Sequence, residues 1–263
     1  MVIGRLKIKS LRMPITHDSK KFFFLAVVVS LLSFLIGGCN SDPGISAYRR
    51  GDYDKALREF RAQGDPEGEF AVGLMLYKGE GVVRNPAEAA GWFRRAADHG
   101  HAGAQYNLGL LYLKGEGVNK DNREAARWFR LAAEKGYAKA CYNLGLMYAK
   151  GDGVAKDRAE AALWFRMAAE QGYAKARIDL AFMYLKGDGV IKNRREAFRW
   201  MREAAGQGEG KAELLVGLMY ARGIGVTKDR NEAAFWLKKA SEHGYYGADR
   251  YLKKLEDNRT AAL

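Results

Sequence analysis

The feature that most constrains this chain is a strict internal period. A Gly-x-Gly-Val motif occurs five times, and its first glycine recurs in steps of 36 residues, at Gly79, Gly115, Gly151, Gly187 and Gly223. All five tryptophans keep the same step, at Trp92, Trp128, Trp164, Trp200 and Trp236. A fixed period of this size is typical of arrays in which each unit buries its apolar face against its neighbours. The 263 residues therefore predict one elongated solenoid, although length alone would suggest one or two globular domains.

Each unit reads as a pair of helices. In the second copy, small and apolar residues recur at helical spacing from residue 104 to residue 114, at Ala104, Leu108, Leu111 and Tyr112. This spacing predicts a short amphipathic helix, which we name helix A. A glycine column interrupts its apolar face, at Gly73, Gly109, Gly145 and Gly217, with Ala181 in the remaining copy. Because glycine is unfavourable inside a helix, the column predicts a close approach between helices.

The loop and the second helix, helix B, have their own signals. Gly115 falls where a helix needs a left-handed residue after its last turn. Asp121 and Glu124 match a capping box, in which each residue satisfies an unpaired backbone N–H of the other. Ala125, Trp128, Phe129, Ala132 and Ala133 then share one face, and the helix ends at Gly136. The same pattern opens and closes helix B in all five copies.

The signature A-x3-L-G-x2-Y-x2-G-x-G-V, followed by the capping residue and the tryptophan, resembles the Sel1-like repeat family, a relative of the tetratricopeptide repeats. The resemblance implies an all-α fold: an α/α superhelical solenoid with five full repeats at 68–247 and partial repeats at its ends. It also implies an adaptor or scaffold for other proteins. Some members carry a cysteine pair in each repeat, for which a lactam-hydrolysing role has been suggested. This chain lacks those pairs, so that chemistry does not carry over.

The N-terminal segment does not belong to the repeats. Six basic residues precede an apolar run at 22–38, which ends in Ile36-Gly37-Gly38-Cys39. This end resembles the bacterial lipobox, so we predict a lipoprotein signal peptide at 1–38 and lipidation of Cys39. The alternative is an uncleaved signal anchor, although the run of 17 residues is shorter than the ~20 that span a bilayer. Asn40 in place of an aspartate after the cysteine favours the outer membrane.

The remaining boundaries follow from these two features. We predict a polar tether at residues 39–46. We also predict a partial repeat at 47–67, which begins with one helix at 47–60. Residues 248–263 repeat the start of helix A without its glycine pattern, as expected of a capping helix and tail. The predicted localisation is the bacterial envelope, with the solenoid lipid-anchored and facing the periplasm.

No catalytic or metal-binding constellation stands out. With Cys39 lipidated, Cys141 is the one remaining thiol, at a variable helix A position with no matched histidine. His99 and His101 flank a capping glycine without a second pair of ligands, so we expect no metal and no cofactor. The chain is therefore predicted not to be an enzyme. A cell-wall-precursor hydrolase stays as an alternative that would require a converging nucleophile and base.

Helix A supplies the candidate surface for protein partners. The residues in register there are Tyr106, Asn107, Tyr142, Asn143 and Asp179. Amides can hold an extended peptide backbone, while aromatic rings and Met147, Met183 and Met219 offer adaptable apolar contacts. The alternative is that the tyrosines and methionines pack between repeats and that the asparagines bond locally. One or more envelope proteins are the partners that this surface predicts.

Basic residues flank the Gly-x-Gly-Val loops and predict a charged edge. The net charge is +13, and residues 1–38 hold six basic residues and one acid, which leaves +8 for the rest. The edge consists of Lys114, Lys150, Lys186, Lys120 and Lys156. Such an edge could bind peptidoglycan, another anionic glycan or anionic lipid, and the alternative is a solvated rim. Nucleic acid is excluded as a partner because the signal directs the chain out of the cytosol.

Overall fold

The computed structural model describes residues 42–260, and all regular structure in that range is helical. The predicted signal peptide and Cys39 lie outside these residues. Helix A spans Pro66–Lys78, Ala102–Lys114, Ala138–Lys150, Ala174–Lys186 and Gly210–Arg222 in repeats 1 to 5. Helix B spans Pro86–Asp98, Asn122–Glu134, Arg158–Glu170, Arg194–Ala205 and Arg230–Glu242. Two helices, Pro43–Arg49 and Tyr53–Gln63, precede the repeats, and a terminal helix, Ala248–Thr260, follows them.

The packing order is that of a solenoid. Each helix packs against the helix before it and the helix after it in the chain. The predicted all-α solenoid of five repeats is therefore confirmed. None of the helices between residues 42 and 260 is both long enough and apolar enough to cross a bilayer.

The N-terminal boundaries differ from the sequence prediction. The predicted tether reaches residue 46, but a helix already begins at Pro43, because the Asp42 carboxylate accepts the N–H groups of Gly44 and Ile45. The single helix predicted at 47–60 is also wrong. Gly51 takes a left-handed conformation at φ 79°, and Asp52 then caps a new helix through Lys55 N–H.

The glycine column of helix A lies against the core residues of helix B in the same repeat. A Cβ built on Gly145 would stand 2.7 Å from Cδ1 of Phe165, which is almost fully buried. The equivalent glycines face Phe93, Phe129 and Leu237. The predicted close approach between helices is therefore confirmed, and its partner is the large apolar residue at the centre of helix B.

The two glycines of each loop have different tasks. Gly115 ends helix A in the left-handed region at φ 74°, with its N–H on the carbonyl of Leu111. Gly117 has φ 72°, and a Cβ on it would stand 2.3 Å from the carbonyl oxygen of Pro86 in the preceding repeat. The first glycine therefore turns the chain, and the second lets the loop rest on helix B of the neighbouring repeat.

The predicted capping box is half right. The Asp121 carboxylate accepts the N–H groups of Arg123 and Glu124 at 2.8 and 3.1 Å, as an N-cap should. The N–H of Asp121, however, donates to the carbonyl of Tyr112 at 3.0 Å and not to Glu124. The same backbone bond recurs from Asn85 to Leu76, Asp157 to Tyr148, Asn193 to Tyr184 and Asp229 to Tyr220. The predicted bond from the N-cap N–H to the glutamate is wrong, because the loop folds back and places this N–H against a carbonyl in the last turn of helix A.

Candidate interaction groove

Helix A leaves one face uncovered by helix B, and we name this face the helix-A groove. Its centre is a row of half-buried apolar residues: Leu74, Leu110, Leu146, Phe182 and Leu218. Exposed cations flank the row at the ends of helix A, at Lys78, Lys114, Lys150, Lys186 and Arg222. A second set lies at the starts of the later helices A, at Lys139, Lys175 and Lys211. The groove therefore combines an apolar floor with basic rims.

A cleft of about 340 Å³ opens in this groove between repeats 3 and 4, and we name it the middle cleft. Leu146 and Phe182 form part of its apolar lining, and Asp179, Lys150 and Lys186 contribute charge. Arg158 and Asp188 also line it and form an ion pair at 3.3 Å. The structure thus brings one predicted partner-binding residue, Asp179, together with two residues of the predicted basic edge.

Asp179 is held by its neighbour Tyr142. The tyrosine hydroxyl donates to Oδ2 of Asp179 at 3.0 Å, across the junction between repeats 3 and 4. Burial raises the pKa of the Asp179 carboxyl, while the bond from Tyr142 and the charge of Lys211 oppose this rise. Burial, followed by the charge of Asp179, raises the pKa of Tyr142 well above its ordinary value. The pair is an oriented polar contact in the cleft.

The other three predicted residues already have partners within the solenoid. The side-chain amide of Asn107 donates to the carbonyl of Gly103 at 2.7 Å, four residues earlier on its own helix. The Tyr106 ring lies 5.0 Å from that of Tyr137, at the start of the next helix A. Asn143 faces the Tyr106 hydroxyl and opposes the rise in its pKa that burial causes. Tyr106 and Asn143 therefore repeat the Tyr142 and Asp179 arrangement, and partner binding by these residues stays a prediction.

The methionines suggested for the groove are almost fully buried. Met147, Met183 and Met219 are only 3%, 6% and 4% exposed and belong to the core. They lie one position after the groove row along helix A, which turns them toward helix B. The suggestion that they offer adaptable surface contacts is therefore wrong for Met147 and Met219, whereas Met183 also lines the middle cleft.

The five predicted basic-edge lysines are all exposed. Lys114 lies 3.9 Å from Glu116 in the adjacent loop. The other four, which are Lys120, Lys150, Lys156 and Lys186, make no ion pair within residues 42–260. The edge therefore carries uncompensated positive charge, but an acid from each of loops 1 to 4 lies beside it, at Glu80, Glu116, Asp152 and Asp188.

Sequence reasoning missed a mostly buried polar column on helix A whose charged members contact helix B. It consists of Glu69, Gln105, Cys141, Arg177 and Glu213, at one position of the five helices A. Glu213 is fully buried and contacts Lys239 at 3.6 Å and His243 at 2.7 Å. Arg177 instead pairs with Glu203 at 3.4 Å.

The signal for this column was present in the sequence. Each charged member has a residue of opposite charge 26 positions later, as in Glu69 and Arg95, which form an ion pair at 2.8 Å. The same offset joins Arg177 with Glu203, where helix A carries the cation, and Glu213 with Lys239, where helix A carries the acid. Comparing the charge signs of the repeats at this offset would have identified the three charged members of the column as paired.

The cysteine and the histidines have structural surroundings. Cys141 is fully buried with Sγ 3.7 Å from the carbonyl of Ala133, and burial raises the pKa of its thiol. His99 contacts Glu69 at 3.2 Å, while His101 accepts the N–H of Ala104 at 3.0 Å and caps helix A of repeat 2. The two rings thus serve different partners. Within residues 42–260, no three His, Cys, Asp or Glu side chains converge as a metal site would require.

Comparisons with known proteins agree with this architecture. The chain is similar to the crystal structure of c5321, a protective antigen of uropathogenic Escherichia coli strains, at 36% identity and a TM-score of 0.76. That match covers 79% of this chain and 45% of c5321, so the chain spans less than half of that protein. A Sel1 repeat protein from Oxalobacter formigenes matches at 36% identity and a TM-score of 0.72, over 76% of this chain and 84% of that one. No curated protein matches.

The family model of the Sel1 repeat matches five consecutive segments of the chain. These are residues 66–101, 102–137, 138–173, 174–209 and 210–245, each one helix A and one helix B. Proteins built from such repeats generally mediate interactions between proteins. The chain belongs to the Sel1 repeat family.

Proposed function

We propose that this protein is a membrane-anchored periplasmic scaffold that holds partner proteins of an envelope complex in its helix-A groove. The observation that carries the proposal is the middle cleft, where Phe182 and Leu146 lie between the exposed Lys150 and Lys186. Apolar side chains in a recess with a charged rim are typical of the central contacts of protein interfaces. The general role of Sel1 repeats in protein interactions supports the same conclusion.

The groove also favours one kind of partner segment. An apolar side chain can fill the middle cleft, and acidic residues on either side of it can meet the basic rims. Tyr142 holds Asp179 in a fixed position, where the carboxylate can accept an N–H of the bound segment. The expected partner segment is therefore apolar at its centre and acidic at its flanks.

The membrane anchor rests on the sequence of the N-terminal segment. Cys39 follows the lipobox-like Ile36-Gly37-Gly38, and Asn40 favours transfer to the outer membrane. Mass spectrometry of the mature protein should find an acylated Cys39 as its first residue. Cys39→Ser should abolish acylation, and a wild-type protein that keeps residues before Cys39 would contradict this part of the proposal.

Site-specific photo-crosslinking in cells tests the groove. A photoreactive residue in place of Phe182 should yield discrete adducts with one or two envelope proteins. The matched control is the same residue in place of Leu163, which lies on helix B of repeat 3 and is 53% exposed. Adducts from Leu163 but none from Phe182 would rule out the groove. Asn107→Ala combined with Asn143→Ala should weaken the adducts, since these residues are predicted partner contacts.

A second candidate function is binding of peptidoglycan or another anionic polysaccharide. The observation in its favour is that Lys120, Lys150, Lys156 and Lys186 are exposed and make no ion pair within residues 42–260. Sedimentation with purified sacculi should then fall as salt rises and should be lost when Lys114, Lys150 and Lys186 are changed to glutamine. Unchanged sedimentation of that variant would contradict this alternative.

A further inference from the structure

A second cleft of about 340 Å³ opens between repeat 5 and the terminal helix, and we name it the terminal cleft. Four cations line it: Arg222, Lys228, Arg230 and Lys254. Its apolar lining includes Leu218 and Leu237 from repeat 5 and Leu255 from the terminal helix. Among the described residues that line the cleft, none carries a carboxylate. This composition suits an anionic group attached to an apolar one.

The middle cleft is an internal reference for this site, because most of its lining residues lie two repeats earlier in the same positions. Lys150 and Arg158 of the middle cleft correspond to Arg222 and Arg230 of the terminal cleft. Two other positions differ in charge. Asp179 is replaced by Tyr251, and Phe182 is replaced by Lys254. The terminal cleft has therefore lost an acid and gained a cation within the same architecture.

The loop of repeat 5 also lacks an acid that the earlier loops carry. Loops 1 to 4 each carry an acid after the first glycine, and three of these acids pair with nearby cations. Glu80 lies 3.5 Å from Lys78, Glu116 lies 3.4 Å from Arg84, and Asp188 lies 3.3 Å from Arg158. Repeat 5 has Ile224 at this position. Arg222 therefore lacks the partner that the corresponding Lys78 has in repeat 1.

Two acids close in sequence to the terminal cleft, Asp229 and Glu232, are already engaged. The Asp229 carboxylate accepts the N–H groups of Asn231 and Glu232 at 2.9 and 3.0 Å. The Glu232 carboxylate accepts the indole N–H of Trp236 at 3.1 Å. None of the four cations that line the cleft forms an ion pair within residues 42–260. Cations gathered against apolar walls repel one another, and an anion that enters relieves this repulsion.

We infer that the terminal cleft binds the C-terminal carboxylate of a partner polypeptide whose last residues are apolar. Arginine presents a planar fork that matches a carboxylate with two parallel hydrogen bonds, and two arginines line this cleft. Leu218, Leu237 and Leu255 lie beside them, where the last side chain of such a chain would be buried. The inference rests on the proposed function in one respect, which is that the occupant is a protein.

Two small peptides test the inference on the full-length protein in detergent. N-acetyl-Leu-Phe with a free carboxylate should bind about tenfold tighter than its C-terminal amide by isothermal titration calorimetry at low salt. Raising the salt concentration should weaken binding of the acid and leave that of the amide unchanged. Arg222→Gln with Arg230→Gln should remove the difference between the two peptides. The matched control is Lys150→Gln with Arg158→Gln in the middle cleft, which should keep the difference.

Three results would overturn the inference. They are equal or absent binding of the two peptides to the wild type, an equal loss in the middle-cleft variant, and full discrimination by the terminal-cleft variant. Sedimentation with phosphatidylglycerol vesicles examines a lipid as the occupant. If only vesicle binding is lost in the terminal-cleft variant, the cleft binds lipid and the peptide inference is wrong. The crosslinking experiment at Phe182 uses the other cleft, so failure of the proposed function is distinguishable from failure here.

Discussion

Gly109 and Phe129 lie in direct contact across their repeat. A Cβ built on Gly109 would stand 2.8 Å from both Cδ1 and Cε1 of the Phe129 ring, which is fully buried. The repeat with Ala181 in place of the glycine has Met201 in place of the phenylalanine. Helix A therefore carries glycine wherever helix B presents a phenylalanine ring, and this allows the two helices to approach closely.

Gly109→Ala should lower the free energy of unfolding by up to about 2 kcal/mol. The added methyl overpacks a filled core, which typically costs ~1–3 kcal/mol, and this exceeds the roughly 1 kcal/mol that alanine gains in helix propensity. Phe129→Met in the same chain should recover part of the loss, since methionine can adapt its shape. Urea unfolding of the single and double variants measures this coupling. A Gly109→Ala protein more stable than the wild type would contradict the explanation.

The second glycine of each Gly-x-Gly-Val loop should be harder to replace than the left-handed glycine that follows helix B. Gly136 has φ 80° and no atom near the position of a Cβ, so Gly136→Ala should cost only the conformational ~1–2 kcal/mol. Gly153 has φ 71°, and its Cβ would stand 2.2 Å from the carbonyl oxygen of Asn122. Gly153→Ala should therefore cost clearly more, because the contact between repeats must open. Equal shifts of the urea midpoint in the two variants would show that this contact is unimportant.

The buried polar column should tolerate an exchange of charges but not a single reversal. Glu213→Arg places a cation beside Lys239 and His243 and should cost about 3–5 kcal/mol, the usual loss when a buried ion pair is broken. Adding Lys239→Glu recreates the pair that Arg177 and Glu203 form in repeat 4, and it should restore most of the stability. Thermal unfolding of the two variants provides the comparison. A double variant no more stable than the single one would mean that packing, not charge, controls this position.

Stability should depend on pH through His101. Its Nδ1 accepts the N–H of Ala104, and its ring stacks on Phe70 with centroids 4.3 Å apart. Burial lowers the pKa of His101 below its ordinary 6.5, against a smaller opposing effect from Glu67. As the pH falls, the unfolded chain therefore binds a proton at His101 before the folded chain does. The stability that neutral His101 contributes is complete above about pH 6.5 and is lost as the pH falls through the lowered folded pKa.

The matched variant for this effect is His101→Asn, because asparagine can cap the helix without titrating. Urea midpoints of the wild type and the variant should diverge between pH 7.5 and pH 5, with the wild type losing more stability. Parallel midpoints across this range would exclude His101 as the titrating group. The other acids and histidines are common to both proteins and cancel in the comparison.

Several parts of this structure could be predicted because their causes are local. Gly115 and Asp121 end one helix and start the next through contacts with residues a few positions away, so their roles can be recognised in the sequence. The glutamate half of the capping box could not be predicted in this way. The N–H of Asp121 finds its acceptor on Tyr112, which the loop brings into reach only after it has folded back.

The sequence by itself determined the period, the helix pairs and the membership of the Sel1 repeat family, because a spacing repeated five times leaves one way to bury the apolar faces. Only the tertiary structure decided which polar residues are buried and which charges stay free. Glu213 is buried because Lys239 and His243, 26 and 30 positions away, meet it between two helices. Arg222 and Lys254 share one cleft because the terminal helix packs on repeat 5. Such contacts depend on how the folded helices pack against one another, and the spacing of the apolar residues does not specify them.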